Sequence, residues 1–220
     1  EVTENLELEP QGPRPSQLMM GINTQAAFPG YIADRIVQWL NNPDNDPAYD
    51  PETDAIVQRG FINFSGNLKV IGQKQEDDRT MPWMIGLLNP RTESLTVQNS
   101  NQVLDSHILF LTDISCATTG DYYHYLISEQ TVRYHHVIDA RTGYPGMAGY
   151  PPNKIISATV IGPTLLESML ASRVVFLLGP EAGMEVINGF GYMQALTILE
   201  NQEGAYSVET SDGISPYLAN

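Results

Sequence analysis

IISATVIGPTLLESMLASRVVFLL, residues Ile155 to Leu178, is the stretch whose reading decides the fold. Ile155–Ile161 is rich in β-branched side chains, which suit a pleated surface. Gly162-Pro163-Thr164 closes that strand and ends in a good helix N-cap. Glu167 stands three positions later, the spacing of a capping box. Leu165–Leu178 then reads as a helix that is almost wholly apolar, broken only by Glu167, Ser168, Ser172 and Arg173. A helix apolar on nearly every side must be deeply buried.

Outward from this unit the chain is dense in strands. Downstream, a second helix starts near Pro180-Glu181 with proline in its first turn. A strong strand (MQALTILE) ends at Glu200, a turn covers Asn201–Gly204, and a partner strand runs over Ala205–Val208. Upstream, Tyr122–Ile127 and Arg133–Ile138 alternate like a hairpin joined through Ser128-Glu129-Gln130. Ile114–Asp121 is an apolar segment ending in a small-residue turn. His107–Leu111, Leu95–Val97 and Trp83–Leu88 are further strands. Phe61–Phe64 and Leu68–Ile71 flank Ser65-Gly66-Asn67, a tight turn. Six or more strands in roughly a hundred residues is too dense for a helix-alternating parallel sheet. Gly30–Leu40 predicts a helix with Ile32, Ile36, Val37 and Leu40 on one face and Asp34 and Arg35 pointing away, stopped at Asn41-Asn42-Pro43. The fold class is therefore α+β, a mainly antiparallel sheet with packed helices.

The chain has 220 residues, 42% hydrophobic and 17% charged, with a net charge of −15 and a pI of about 4.4. Such a field repels nucleic acid and anionic membrane, and no stretch approaches the ~18 apolar residues of a membrane span. A single cysteine, Cys116, rules out an internal disulfide and reads as a buried structural thiol. Residues 1–20 read as a polar, proline-rich lead-in without a leader's basic and apolar regions. Residues 41–54 are an acidic, proline-rich loop. Asp44, Asp46 and Asp50 faintly resemble calcium spacing there, but no glycine stands where such a loop turns sharply, so a solvated loop is the better reading.

One stretch carries candidate chemistry. Arg133–Pro145, RYHHVIDARTGYP, ends a strand in an Asp and a turn, which places its polar groups at a sheet edge or cleft mouth. His135 and His136 lie at its centre, and imidazole is the side chain best suited to proton transfer near neutral pH. Spacing alone favours the plainer reading, two surface histidines entering a turn.

Six motifs in order resemble the ApbE family, the bacterial FAD:protein FMN transferases. They are Gly30-Tyr31-Ile32-Ala33-Asp34, Phe61–Gly72 (FINFSGNLKVIG), Trp83–Leu87 with Pro90, Ala117–Tyr122 (ATTGDY), His136–Gly143 (HVIDARTG) and Val174–Pro180 (VVFLLGP). The resemblance implies an ApbE/tunnel-fold-like single domain over residues 1–220, corresponding to the C-terminal two-thirds of the family fold, without the family's N-terminal third. It implies FAD as the bound nucleotide, transfer of FMN to a Thr or Ser of a partner acceptor protein, assistance by Mg²⁺, and an extracytoplasmic location. His136 matches the family's suspected base. Asn23, Ala26, Thr119, Val137, Ile138 and Arg173 match its nucleotide-contacting region, with the backbone carbonyl at Ala26 matching a metal contact.

The sequence departs from the family where charge matters. The family's acidic residue before the first helix is Asn23 here, and its flavin-contacting lysine is Pro29. The two Mg²⁺ ligands of its long helix fall on Met169 and Arg173, and the acidic turn residue of its hairpin on Asn67. A thioether has no affinity for a hard cation and a guanidinium repels one, so no residue is assigned as a metal ligand and Mg²⁺ is a doubtful cofactor. Arg173 could instead face the pyrophosphate as its positive partner, or snorkel as an ordinary helix cation. The expected function is flavin-nucleotide binding with impaired metal-dependent transfer; the alternative is a non-catalytic FAD binder or scaffold.

Overall fold

The computed structural model describes residues 24–42, 57–91, 103–127, 133–145, 153–201 and 203–218. Among them the chain runs α1 (Thr24–Leu40), β1 (Gly60–Phe64), β2 (Asn67–Ile71), β3 (Lys74–Glu76), β4 (Arg79–Met81), β5 (Trp83–Leu88), β6 (Val103–Leu111) and β7 (Ser115–Gly120). It continues through β8 (Tyr125–Ile127), β9 (Arg133–His135), β10 (Ile138–Asp139), β11 (Tyr144–Pro145) and β12 (Asn153–Gly162). Then come α2 (Leu165–Leu178), α3 (Pro180–Phe190), β13 (Gln194–Asn201), β14 (Tyr206–Thr210) and a short 3-10 turn at Ser215–Tyr217. Six strands form one sheet in the order β1-β2-β7-β12-β13-β14, each neighbouring pair antiparallel. The fold class is α+β with a mainly antiparallel sheet, as the strand density predicts. The expected strand at Leu95–Val97 and most of the acidic loop lie outside the described residues.

The sheet is buried on both faces. On one, Ala158 and Val160 of β12 and Ala195 and Leu199 of β13 pack with Ala171, Val175 and Phe176 of α2 and Met184 and Ile187 of α3. On the other, Ile161, Leu196 and Ile198 meet Leu87 of β5 and Leu109 and Leu111 of β6. A register shift between Ile155 and Ser157 resets the alternation, so Ile155 joins the first cluster and Ile156 the second. Cys116 lies in the second cluster, and burial pushes its thiol up to about 12, as a structural cysteine should be.

Two local readings are confirmed in atomic detail. The Thr164 hydroxyl accepts from the Glu167 backbone N–H at 3.1 Å and donates to the Glu167 carboxylate at 2.7 Å. In the first hairpin Ser65 and Gly66 both have positive φ, 50° and 88°, the two-residue turn that matches strand twist. Asn67 then uses its amide both ways, donating to the Phe64 carbonyl and accepting from the Thr118 backbone N–H. A carboxylate could not donate, so the amide at Asn67 has a structural role in this turn.

The first helix departs from expectation. It begins at Thr24 rather than Gly30 and carries Pro29 inside it. Its buried side is Gly30 and Ala33, whereas Ile36 is exposed. Asp34 does not point away. Its carboxylate accepts the Leu165 and Leu166 backbone N–H groups, both at 2.9 Å, and so caps α2 from a neighbouring helix. Gly30 permits this approach, because a Cβ there would stand 2.7 Å from the backbone of Leu166. The Gly-x-x-x-Asp spacing is thus a docking device for two helices. Gly30→Ala is expected to cost about 2–4 kcal/mol, combining overpacking with weakened caps. A urea midpoint unchanged from the parent would contradict that account.

Candidate functional site

The stretch around His136 is built by alternation. His135 ends β9 with its ring buried against Phe176 of α2, centroids 5.0 Å apart, and its Nδ1 accepts the Val137 N–H. Val137 is buried in the α2 cluster. His136, between these two anchors, is the one of the three that faces outward. The adjacent histidines therefore divide their roles, His135 into the core and His136 to the site. The turn that follows is tied by Asp139, whose backbone carbonyl accepts from Thr142 N and Gly143 N and whose carboxylate pairs with Arg141 at 2.8 Å.

His136 Nδ1 lies 3.2 Å from the Tyr123 carbonyl oxygen. A carbonyl only accepts, so Nδ1 carries the hydrogen and Nε2 keeps its lone pair. Partial burial holds the imidazole below its ordinary range, with electrostatic repulsion from the His124 and Arg173 side chains acting in the same direction and the Tyr123 carbonyl opposing it. At neutral pH it is an uncharged proton acceptor. Arg173, in the middle of α2, is half-buried, and burial alone lowers its affinity for its proton. Among the described residues no carboxylate is bonded or ion-paired to it, and Glu167 is engaged with Thr164 instead. A half-buried guanidinium with no carboxylate partner among the described residues, near enough for its charge to act on His136, is suited to an anion.

The other sequence-derived candidates are placed as follows. Thr119 is buried on β7, its hydroxyl 2.8 Å from Ser172 Oγ on α2, one residue before Arg173. It therefore fastens α2 to the sheet beneath the site. Ile138 is exposed on β10 directly after the buried Val137. Ala26 lies in the first turns of α1, and Asn23 is outside the described residues. Met169 is buried at 5% exposure among Ala33, Ala117 and Leu165. The donor set at the two helix positions is thus a buried thioether and a guanidinium, and no group of three His, Cys, Asp or Glu able to hold a metal occurs among the described residues. These groups do not fit Mg²⁺.

Sequence reasoning missed two features. His124 stacks edge-to-face on His136, and nothing in the local pattern YYHYLI marks it. The second is a buried charge network around Asp121 of the ATTGDY motif. Arg91 binds it with two hydrogen bonds of 2.7 and 2.9 Å and binds Glu200 through two more. Lys154 reaches it at 3.0 Å and Arg133 at 4.0 Å. Burial alone would raise the Asp121 carboxyl; the Arg91 and Lys154 contacts outweigh it and hold the group below its ordinary range. The network ties β7, β12 and β13 at one end of the sheet, and Arg133 links it to the strand that leads into His136.

Comparison with known proteins places this mainly antiparallel α+β fold. The sequence profile of the ApbE family matches residues 2–197, and the chain belongs to that family. It is 26% identical over 184 residues to an FAD:protein FMN transferase of Klebsiella pneumoniae, covering 84% of this chain and 47% of that protein. It is 26% identical over 204 residues to one of Treponema pallidum, covering 90% and 48%. The structure of the ApbE protein of Thermotoga maritima superposes with a TM-score of 0.65 at 25% identity, over 90% of this chain and 54% of that one. The flavin transferase ApbE of Vibrio cholerae has the same fold, TM-score 0.61 at 22% identity, over 86% and 50%. The chain spans about half the length of the relatives it matches. No helix among the described residues is long and apolar enough to cross a membrane.

Proposed function

We propose that this protein binds FAD and is a flavin transferase of the FAD:protein FMN type whose Mg²⁺-dependent activity is weak or absent. In the transfer, a Thr or Ser hydroxyl of an acceptor protein attacks the phosphorus on the riboflavin side of the pyrophosphate. The new O–P bond forms as the bond to AMP breaks, AMP leaves, and the hydroxyl proton passes to His136 Nε2. Arg173 faces the pyrophosphate as the positive partner. The observation that carries this reading is Arg173 itself, half-buried, without a carboxylate partner among the described residues, and close enough for its charge to act on His136. The names of the relatives support the nucleotide and the reaction class. An extracytoplasmic location belongs to the same reading by family resemblance.

The second reading, a non-catalytic FAD-binding or scaffold protein, is favoured by one observation. The outer side of α1 exposes Phe28, Tyr31 and Trp39, opposite the face that docks on α2. A helix apolar on both sides calls for a further partner. Incubation with FAD and a threonine-bearing acceptor, in Mg²⁺ or in EDTA, separates the two. Slow flavinylation that EDTA leaves unchanged supports the transferase reading. Robust flavinylation only with Mg²⁺ overturns its metal-independent part, and flavin binding without any transfer favours the scaffold.

A further inference from the structure

His124 occupies the loop between β7 and β8 with φ of 49°, a left-handed conformation uncommon outside glycine. This bend turns two consecutive groups onto one target. The carbonyl of Tyr123 takes the His136 Nδ1 hydrogen, and the His124 ring meets the His136 ring edge-to-face, centroids 5.6 Å apart at 83°. The hydrogen bond fixes which nitrogen is protonated and where it points. The ring contact fixes the tilt of the imidazole plane. We propose that His124 is a positioning residue for His136, clamping its imidazole together with the Tyr123 carbonyl so that Nε2 is the nitrogen presented to the ligand. This rests on His136 being the functional histidine.

Among the described residues the groups acting on His136 come from two elements, Tyr123 and His124 from the loop and Arg173 from α2. None of them is a carboxylate, so none draws a proton onto Nε2. An imidazole at 124 supplies a ring edge without a negative charge, which an Asp or Glu in that place could not do.

Two variants test the clamp. His124→Gly deletes the ring and frees the turn that holds the Tyr123 carbonyl against His136, since glycine also populates other conformations; His124→Phe keeps an aromatic ring and removes the imidazole nitrogens. Nitrogen-15 spectra of the histidines report the His136 tautomer, and a flavin-transfer assay reports turnover. In the parent, His136 is expected as the Nδ1–H tautomer. His124→Gly should lose that preference and lower turnover about tenfold or more, the scale set by small misplacements of a reacting group. His124→Phe should keep the tautomer and stay within about threefold. A parent-like His136 spectrum in His124→Gly overturns the proposal, as does a loss of the tautomer in His124→Phe equal to that in His124→Gly. If the parent transfers no flavin, loss of the tautomer in His124→Gly still supports the clamp, and only the transferase reading fails.

Discussion

Asp121→Ala is expected to lose about 3–5 kcal/mol of stability, the cost of leaving buried charges without their partner. Asp121 is fully buried and holds Arg91 through two hydrogen bonds, Lys154 through one contact and Arg133 at the margin. Removing it leaves Arg91 with Glu200 alone and sets cations facing one another at the end of β7. The folded-state value of Asp121 is depressed, so its contribution is fully present above the unfolded carboxylate value of ~3.9 and is lost as pH falls through the folded one. Urea unfolding at neutral pH checks the first point, and acid unfolding of the parent checks the second. A neutral-pH loss below about 1 kcal/mol would show that the network is not the anchor its geometry implies.

His136→Ala is expected to lower flavin transfer by about 10²–10⁴-fold, the usual contribution of a positioned general base. Stability should change little, because His135 and Val137 rather than His136 anchor the segment in the core. The acidic limb of the parent's pH profile should lie below the ordinary histidine value of ~6.5, since burial and the positive neighbours disfavour protonation. Single-turnover transfer across pH measures both. A rate within threefold of the parent, or an acidic limb above ~6.5, would remove His136 from the role of base.

Much of the fold was readable because its signals are local. β12, the capping box and α2 follow from β-branched density, Thr164–Glu167 spacing and an apolar helix. The turns at Ser65-Gly66 and Asn201–Gly204 follow from residue chemistry. The errors have physical causes. The helix expected from Gly30 begins at Thr24 with Pro29 inside it, although an interior proline removes a donor and crowds the carbonyl four residues back. The β3–β4 hairpin is polar apart from Met81, so no alternation betrays it; its one signal is Asp77, which takes a positive φ at the turn. In the candidate site, His136 and Arg173 are proposed from the resemblance and from their chemistry. Which of the two histidines meets Phe176, the cap from Asp34 and the contact with His124 depend on packing between elements, which no local pattern encodes.

The central claim is that Arg173 stands in for a divalent cation, and FAD titration in EDTA, followed by flavin fluorescence, tests it most directly. The parent is expected to bind FAD without metal, with no gain on adding Mg²⁺. Arg173→Ala should weaken binding at least tenfold, about 1.4 kcal/mol. Binding that requires Mg²⁺, or that is undiminished in Arg173→Ala, would contradict the claim.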